Sequence, residues 1–149
     1  MEIKGKAIVL TNGVYNTKSA KTAHGLVRGS SRFDILGIID NKFYDNDAGK
    51  LLDGKHRNIP VYKSLLSFLN LNINIDYCII GVASAGGVLP EEMRSDIILS
   101  LKNNISIVNG LHSFLEDDLE ISEIAKINNT KLYDIRKPRE RGLLSFWSG

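Results

Sequence analysis

Apolar residues along this chain fall into short runs that alternate with segments of helical period. The first run, Ala7-Ile8-Val9-Leu10, stops at the turn formers Asn12 and Gly13 and predicts a strand. From Lys18 to Arg28, Ala20, Ala23 and Val27 recur at i, i+3 and i+7, so they share one face of a helix that Gly29 suits to end. Phe33 to Ile39 predicts a second strand terminating in Asp40. The polar stretch from Asn41 to Asn58 reads as a loop in which Asp45 and Asp47 are solvated, and Ile59-Pro60-Val61 as a short third strand.

The same alternation continues. Ser64 is placed to open a helix with Leu65, Phe68 and Leu69 on its inner face, and Tyr77 to Val82 follows as a nearly continuous apolar run, the pattern of a central strand covered on both sides. Pro90 suits the first position of a helix whose first turn carries Glu91 and Glu92 and whose stripe is Met93, Ile97 and Leu101. Ile105 to Val108 predicts a fifth strand. Asp117 with Glu120 makes a capping-box start for a helix holding Ile121, Ile124 and Ala125, and Leu132 to Ile135 a sixth strand. Six strands joined largely by helical crossovers predict an α/β fold: a Rossmann-like, doubly wound, mainly parallel six-stranded sheet with helices on both faces.

Length and composition narrow the setting. A chain of 149 residues suits one domain, placed here at residues 1–137, with 138–149 as a linker or the start of a further domain. Nineteen basic against 17 acidic residues is too balanced for the phosphate-neutralising surface of a nucleic-acid binder. Cys78, the single cysteine, sits within the fourth apolar run and reads as a small core residue. No apolar run approaches the roughly 18 residues of a membrane span, and Met1 to Lys6 lacks the apolar centre of a signal peptide, so the expected location is cytoplasmic with no membrane partner.

In an open parallel sheet, ligands bind outside the carboxyl ends of the strands, where helix N-termini favour anions. Three loops are expected to converge there. The first, Asn12 to Thr17, carries Asn12 and Gly13 and leads into a helix bearing Lys21, His24 and Arg28. It lacks G-x-G-x-x-G, which weakens an NAD(P) reading, although Asp40, 27 positions after Gly13, stands where a dinucleotide fold presents an acid to ribose hydroxyls. A turn-capping aspartate is the equal alternative. The second loop, Ala83 to Leu89, contains Ala85, Gly86 and Gly87, whose backbone can approach a phosphate or carboxylate closely; a βα turn needing positive φ explains the glycines equally simply. The third carries Asn109, Gly110 and His112, with His112 the candidate proton-transfer group. His24 falls near Ala20 on the helical face, which also suits a packed histidine bonded to backbone. One cysteine and three dispersed histidines offer no metal-ligand spacing. The basic run Arg136 to Arg141 reads as linker ahead of the apolar residues Leu143, Leu144, Phe146 and Trp147, which suit docking on this domain or another.

Several stretches together carry a resemblance: AKTAHGLVRGS from Ala20, the Asp40 strand end, DAGK from Asp47, GVASAGGVLPEEMR from Gly81, NGLHSFLEDD from Asn109 and YDIRKP from Tyr133. They resemble the N-terminal Rossmann-like domain of a two-domain bacterial and archaeal family in which a P-loop domain follows, and which includes D-glutamate N-acetyltransferase-like proteins. Val27 and Gly29 depart from it in being less bulky. The resemblance implies a longer protein, since no G-x-x-x-x-G-K-[ST] occurs in this sequence. It implies acetyl transfer to a D-amino acid, with acetyl-CoA or a nucleotide held by the P-loop domain and a small anionic ligand by this one. Lys21 or Arg28 would then pair with a carboxylate, the Gly86 and Gly87 amides with another oxyanion, and His112 would act as base, while the isolated domain would be inactive. The competing expectations are an NAD(P)-binding module and a non-catalytic homo-oligomerisation domain built on a sheet edge or the apolar tail.

Overall fold

The computed structural model of the protein describes residues 3–83 and 89–136. Strands β1 (Gly5–Leu10), β2 (Phe33–Ile39), β3 (Val61–Tyr62), β4 (Tyr77–Ile80), β5 (Ser106–Asn109) and β6 (Leu132–Asp134) form one sheet in the order β3-β2-β1-β4-β5-β6. Every neighbouring pair is parallel. The winding therefore moves outward from β1 through β2 to β3, returns to the middle, and moves out the other way from β4. The switch point lies between β1 and β4.

The middle strands are buried on both faces, which is why they read as unbroken apolar runs: Ala7, Ile8 and Val9 in β1, Cys78 and Ile79 in β4, and Ile107 and Val108 in β5 are all fully buried. Burial pushes the Cys78 thiol up to about 12, so it is a packed, unreactive group. Among the described residues five α-helices cover the sheet: α1 (Lys21–Arg28), α2 (Ala48–Asp53), α3 (Leu65–Leu69), α4 (Glu91–Lys102) and α5 (Leu119–Ile127). Helix α1 packs on α2, and α4 on α5. Each turns its apolar stripe inward, Ala23 and Val27 from α1, Met93, Ile97 and Leu101 from α4, Ile121 and Ala125 from α5. Helix α1 comes unusually close to the sheet at Gly81. A Cβ there would lie 2.3 Å from Val9 Cγ1 and 3.0 Å from Ala23 Cβ, so only glycine permits this approach of helix to strand.

The segment Asn41 to Asn58, expected as a loop, contains α2. Asp47 caps it, accepting from the Lys50 amide at 3.0 Å, and Gly54 ends it in the left-handed region at φ 82°. Asp47 is no solvated loop aspartate either. Its two oxygens also accept from the amides of Arg57 at 2.9 Å and Ile59 at 2.8 Å, gathering residues 47–59 into one knot. Burial alone would raise its pKa, but these three amides and neighbouring His56 outweigh it and hold the carboxyl below its usual range.

The start of α5 shifts by one residue. Leu115–Asp117 tightens into a 3-10 turn, and Asp118 rather than Asp117 is the cap, accepting from the Ile121 amide at 3.0 Å. Pro90 occupies the capping position ahead of α4, and Lys18–Ala20 is a 3-10 turn before α1 begins. Among the described residues no helix is long and apolar enough to cross a membrane, and no group of three or more His, Cys, Asp or Glu is placed to hold a metal ion.

Candidate functional site

Because β1, β4 and β5 are adjacent and parallel, the segments leaving their carboxyl ends lie along one rim of the sheet. The loop after β1 and the first turn of α4 face each other across the switch point. Asn12, in the left-handed region at φ 49°, donates through Nδ2 to Glu92 Oε2 at 2.9 Å. This bond ties the two walls of the crevice together.

The backbone of the loop after β1 is almost entirely engaged within the protein. The amides of Thr11 and Asn12 donate to the Ile39 carbonyl at 3.1 and 3.3 Å, that of Val14 to Thr11 at 3.1 Å, and those of Thr17 and Ala20 to Val14 and Thr17 at 3.0 and 3.1 Å. The Ser19 amide reaches the Thr17 hydroxyl at 3.2 Å, and the Ala23 amide, in the first turn of α1, is taken by the Gly81 carbonyl at 3.2 Å. In a dinucleotide fold the pyrophosphate sits on amides of this loop and helix. Here the protein's own carbonyls and hydroxyls occupy them.

Asp40 closes the same account. It is fully buried, and its Oδ2 accepts from the Thr11 hydroxyl at 2.7 Å and the amides of Gly13 and Tyr15 at 3.0 Å each. Its Oδ1 accepts from the amides of Lys42 and Phe43 at 2.9 and 3.1 Å. A carboxylate offers about four lone-pair sites, and five donors already converge on this one. Of the two roles open for Asp40 in the sequence, these bonds show the turn-organising one.

The device is repeated on the other half of the sheet. Asp134, at the end of β6, accepts through Oδ1 from Asn109 Nδ2 at 2.8 Å and the Leu115 amide at 2.9 Å, and through Oδ2 from the Glu116 amide at 3.0 Å. Asn109, fully buried, completes its set by donating to the Ser113 carbonyl at 2.9 Å and accepting from the Leu111 amide at 3.1 Å. In each half an aspartate ending the outer strand shapes the loop that follows the inner one. Asn109 thus holds its loop from beneath, with both amide protons and its oxygen engaged.

His24 is also anchored. Its Nε2 lies 2.5 Å from the Tyr15 carbonyl, so the proton must be on Nε2, and its ring meets Tyr15 edge-on at 5.3 Å. Tyr15 is buried, with its pKa pushed by that burial to about 12, and its hydroxyl donates to the Ala48 carbonyl at 2.7 Å. His24, Tyr15 and Ala48 therefore stitch α1, the first loop and α2 together. That chain explains structurally why AKTAHGLVRGS and DAGK stand out in the sequence.

What the rim leaves open is different. Lys21 is exposed at the start of α1, Gly110 is partly exposed, and His112 is exposed with no hydrogen bond or ion pair among the described residues. Arg28 is at the far end of α1, about 10 Å from Lys21 along the axis at 1.5 Å per residue, and so lies toward the opposite edge of the sheet. The positions Ala85, Gly86 and Gly87 lie outside the described residues. Two rim residues had no role assigned from sequence. Glu92 read as a helix start, and Arg136, which read as linker, folds back so that its Nε donates to the Gly110 carbonyl. A shallow cavity of 480 Å³ lined by Gly5, Lys6, Ser30 and Asp34, among others, sits at the amino edge, away from these groups.

Residues 41–138 match the model of a family described as a domain of unknown function (DUF1611_N), Rossmann-like domain. The chain belongs to this family. Its structure is similar to the crystal structure of a DUF1611 family protein from Anabaena variabilis, with a TM-score of 0.79 at 23% identity, covering 93% of this chain and 39% of that one. A second solved structure, homoserine dehydrogenase from Thermoplasma acidophilum, matches at a TM-score of 0.55 and 14% identity over 88% of this chain and 43% of the other; the likeness is one of fold. Over 60 residues the chain is 30% identical to D-glutamate N-acetyltransferase of Tritonibacter scottomollicae, covering 40% of this chain and 18% of that protein. The matched stretch thus spans less than a fifth of that relative's length.

Proposed function

We propose that the carboxyl rim between β1 and β5 binds a small anionic ligand, and that in a longer protein this domain supplies the substrate side of an acetyl transfer to a D-amino acid such as D-glutamate. The observation that carries the reading is the adjacency of the loops after β1, β4 and β5, with Asn12 bonded to Glu92 across the switch point. The chemistry is suggested by the name of the Tritonibacter relative. Acetyl-CoA or a nucleotide would be held by a P-loop domain outside this chain.

Acetyl transfer to an amine needs the ammonium group to lose a proton before its nitrogen attacks the acetyl carbonyl. His112, exposed on the rim, is the group offered for that step, Lys21 for the ligand's carboxylate, and Glu92 for its ammonium group. The glycines Gly86 and Gly87 follow β4 in the sequence, outside the described residues. An NAD(P)-binding reading is opposed by the closed first loop, whose amides already have acceptors.

Thermal unfolding of the chain with D-glutamate, L-glutamate, acetyl-CoA and NADP tests the proposal. A ligand at a hundred times its dissociation constant stabilises by about 2.7 kcal/mol, raising Tm by roughly 5 to 10 °C for a domain of this size. D-glutamate is expected to do so, less strongly in Asn12→Ala, while acetyl transfer by the chain alone stays at background. A shift with NADP and none with D-glutamate would sink the reading.

A further inference from the structure

Once every donor and acceptor along the rim is assigned, one cation stands out. Arg136 follows β6, the edge strand, and an arginine there could point outward into solvent. Instead its side chain runs inward across one strand spacing, roughly 4.8 Å, and its Nε donates to the Gly110 carbonyl at the end of β5. That bond seats the guanidinium at the carboxyl end of β5, one strand in from the edge. The terminal Nη1 and Nη2 groups have no partner among the described residues, whereas Arg57 and Arg94 are both locked into carboxylates of their own.

The backbone beneath Arg136 is held still from two sides. Asn109 and Asp134 clamp the loop that presents the Gly110 carbonyl, and the Ile135 amide donates to the Asn109 carbonyl at 3.0 Å. A planar fork with one nitrogen tied down and two nitrogens open is pre-organised for two parallel bonds to an oxyanion. His112 follows two residues after Gly110 in the same loop.

We propose that Arg136 is the anion anchor of the rim, gripping a pair of oxygens on the ligand, carboxylate or phosphate, beside His112. The proposal rests on the rim reading above and names the group that would recognise the ligand's charge. Lys21 then becomes a secondary, exposed partner at the other end of the crevice.

The test is an amide NMR titration of the full chain, in separate arms with D-glutamate and inorganic phosphate, repeated on Arg136→Gln and Arg136→Lys. Arg136 is exposed, so both variants should keep the parent's fold and Tm, with ligand-free spectral changes confined to the residues around Gly110. Either anion is expected to shift the Gly110 and Leu111 amides, with affinity falling about ten- to a hundredfold in Arg136→Gln, the range of a lost charge-assisted contact. Arg136→Lys should keep part of it, a point charge without the fork. A response to D-glutamate alone assigns the oxyanion to a carboxylate, and a response to phosphate alone to a phosphoryl group; both support the anchor. Equal affinity in Arg136→Gln overturns it, as do shifts confined to Asn12 and Ala83, which would leave the rim reading standing. Silence in both arms overturns both.

Discussion

Replacing Asp40 with asparagine separates an architectural carboxylate from a ligand-binding one. Five donors converge on Asp40 in a fully buried setting: one hydroxyl and four main-chain amides. Asparagine is nearly isosteric, so it introduces no cavity, but only one of its two head atoms accepts hydrogen bonds. Its best orientation turns the oxygen toward Thr11, Gly13 and Tyr15 and its NH2 toward the Lys42 and Phe43 amides. Two donors then lose their acceptor and face another donor, and three keep a neutral acceptor in place of a charged one.

An orphaned buried donor costs about 1 to 3 kcal/mol. Lys42 and Phe43 lie where water can reach part of the turn, which places each near the lower end. The sum is about 3 kcal/mol. At a urea slope of about 2 kcal/mol per molar, the unfolding midpoint of Asp40→Asn should fall by about 1.5 M, with the slope unchanged. Hydrogen exchange at Lys42 and Phe43 should quicken by more than the global change requires, since those amides lose their acceptor altogether. A ligand-binding carboxylate held ready in the apo protein behaves otherwise, because removing a buried charge with unmet demands leaves stability the same or improves it. A midpoint within about 0.3 M of the parent would refute the hydrogen-bond account of this loop.

Two further outcomes follow from the packing of α4 against α5 and of α1 against the sheet. Arg94 grips Asp118 with both nitrogens and Glu120 with one, which holds the Asp118 carboxyl down to about 2 from 3.8. The folded pKa is the lower one, so this stabilisation is complete above about pH 4 and fades as pH falls toward 2. Such a lowering corresponds to at most about 2 kcal/mol, reduced to about 1 kcal/mol for a pair whose side chains are 26% and 28% exposed. Asp118→Asn, which keeps the helix cap, should therefore lose about 1 kcal/mol at pH 7 and flatten the acid limb in a pH series of urea unfolding; an unchanged limb contradicts the assignment. Gly81→Ala places a methyl 2.3 Å from Val9 Cγ1 and 3.0 Å from Ala23 Cβ, and overpacking of this kind should cost about 2 to 3 kcal/mol, read as a lower Tm. A neutral result would mean that α1 can lift off the sheet without penalty.

The sheet was readable because its signals are local. β2 was delimited at both ends by its own residues, and β1, β4 and β5 announced their central position by being apolar at consecutive positions. Helix α2 leaves no periodic signal because six residues cannot display a helical period, although its cap Asp47 and terminator Gly54 both stand in the sequence. The candidate rim was legible in its location and less so in its members. Strand-end logic placed Asn12, Asn109 and His112 on one rim, but whether a polar side chain faces a ligand or its own backbone depends on partners far away in sequence. Asp40 is taken up by Gly13 and Tyr15, and Asn109 by Asp134, 25 positions on. Arg136 shows the converse. A basic run after the last strand resembles a linker until the position of Gly110 is known.

The likeness of this domain to homoserine dehydrogenase brings the strand order and switch point with it, but a fold carries no function by itself. What decides between a dinucleotide and another ligand is which main-chain donors at the switch point lack acceptors. In this chain Asp40 and the Gly81 carbonyl take the amides of Gly13, Tyr15 and Ala23, and Glu92 places a negative charge on the opposite wall, bonded to Asn12. A diphosphate entering there would have to displace buried bonds and approach a carboxylate at once. Neither penalty would fall on a small anion two strands away over β5, where Arg136 bonds the Gly110 carbonyl. The same strand order can thus present two different rims. The aspartates at the ends of β2 and β6 shape both, leaving the one above β1 closed and the one above β5 with open donors.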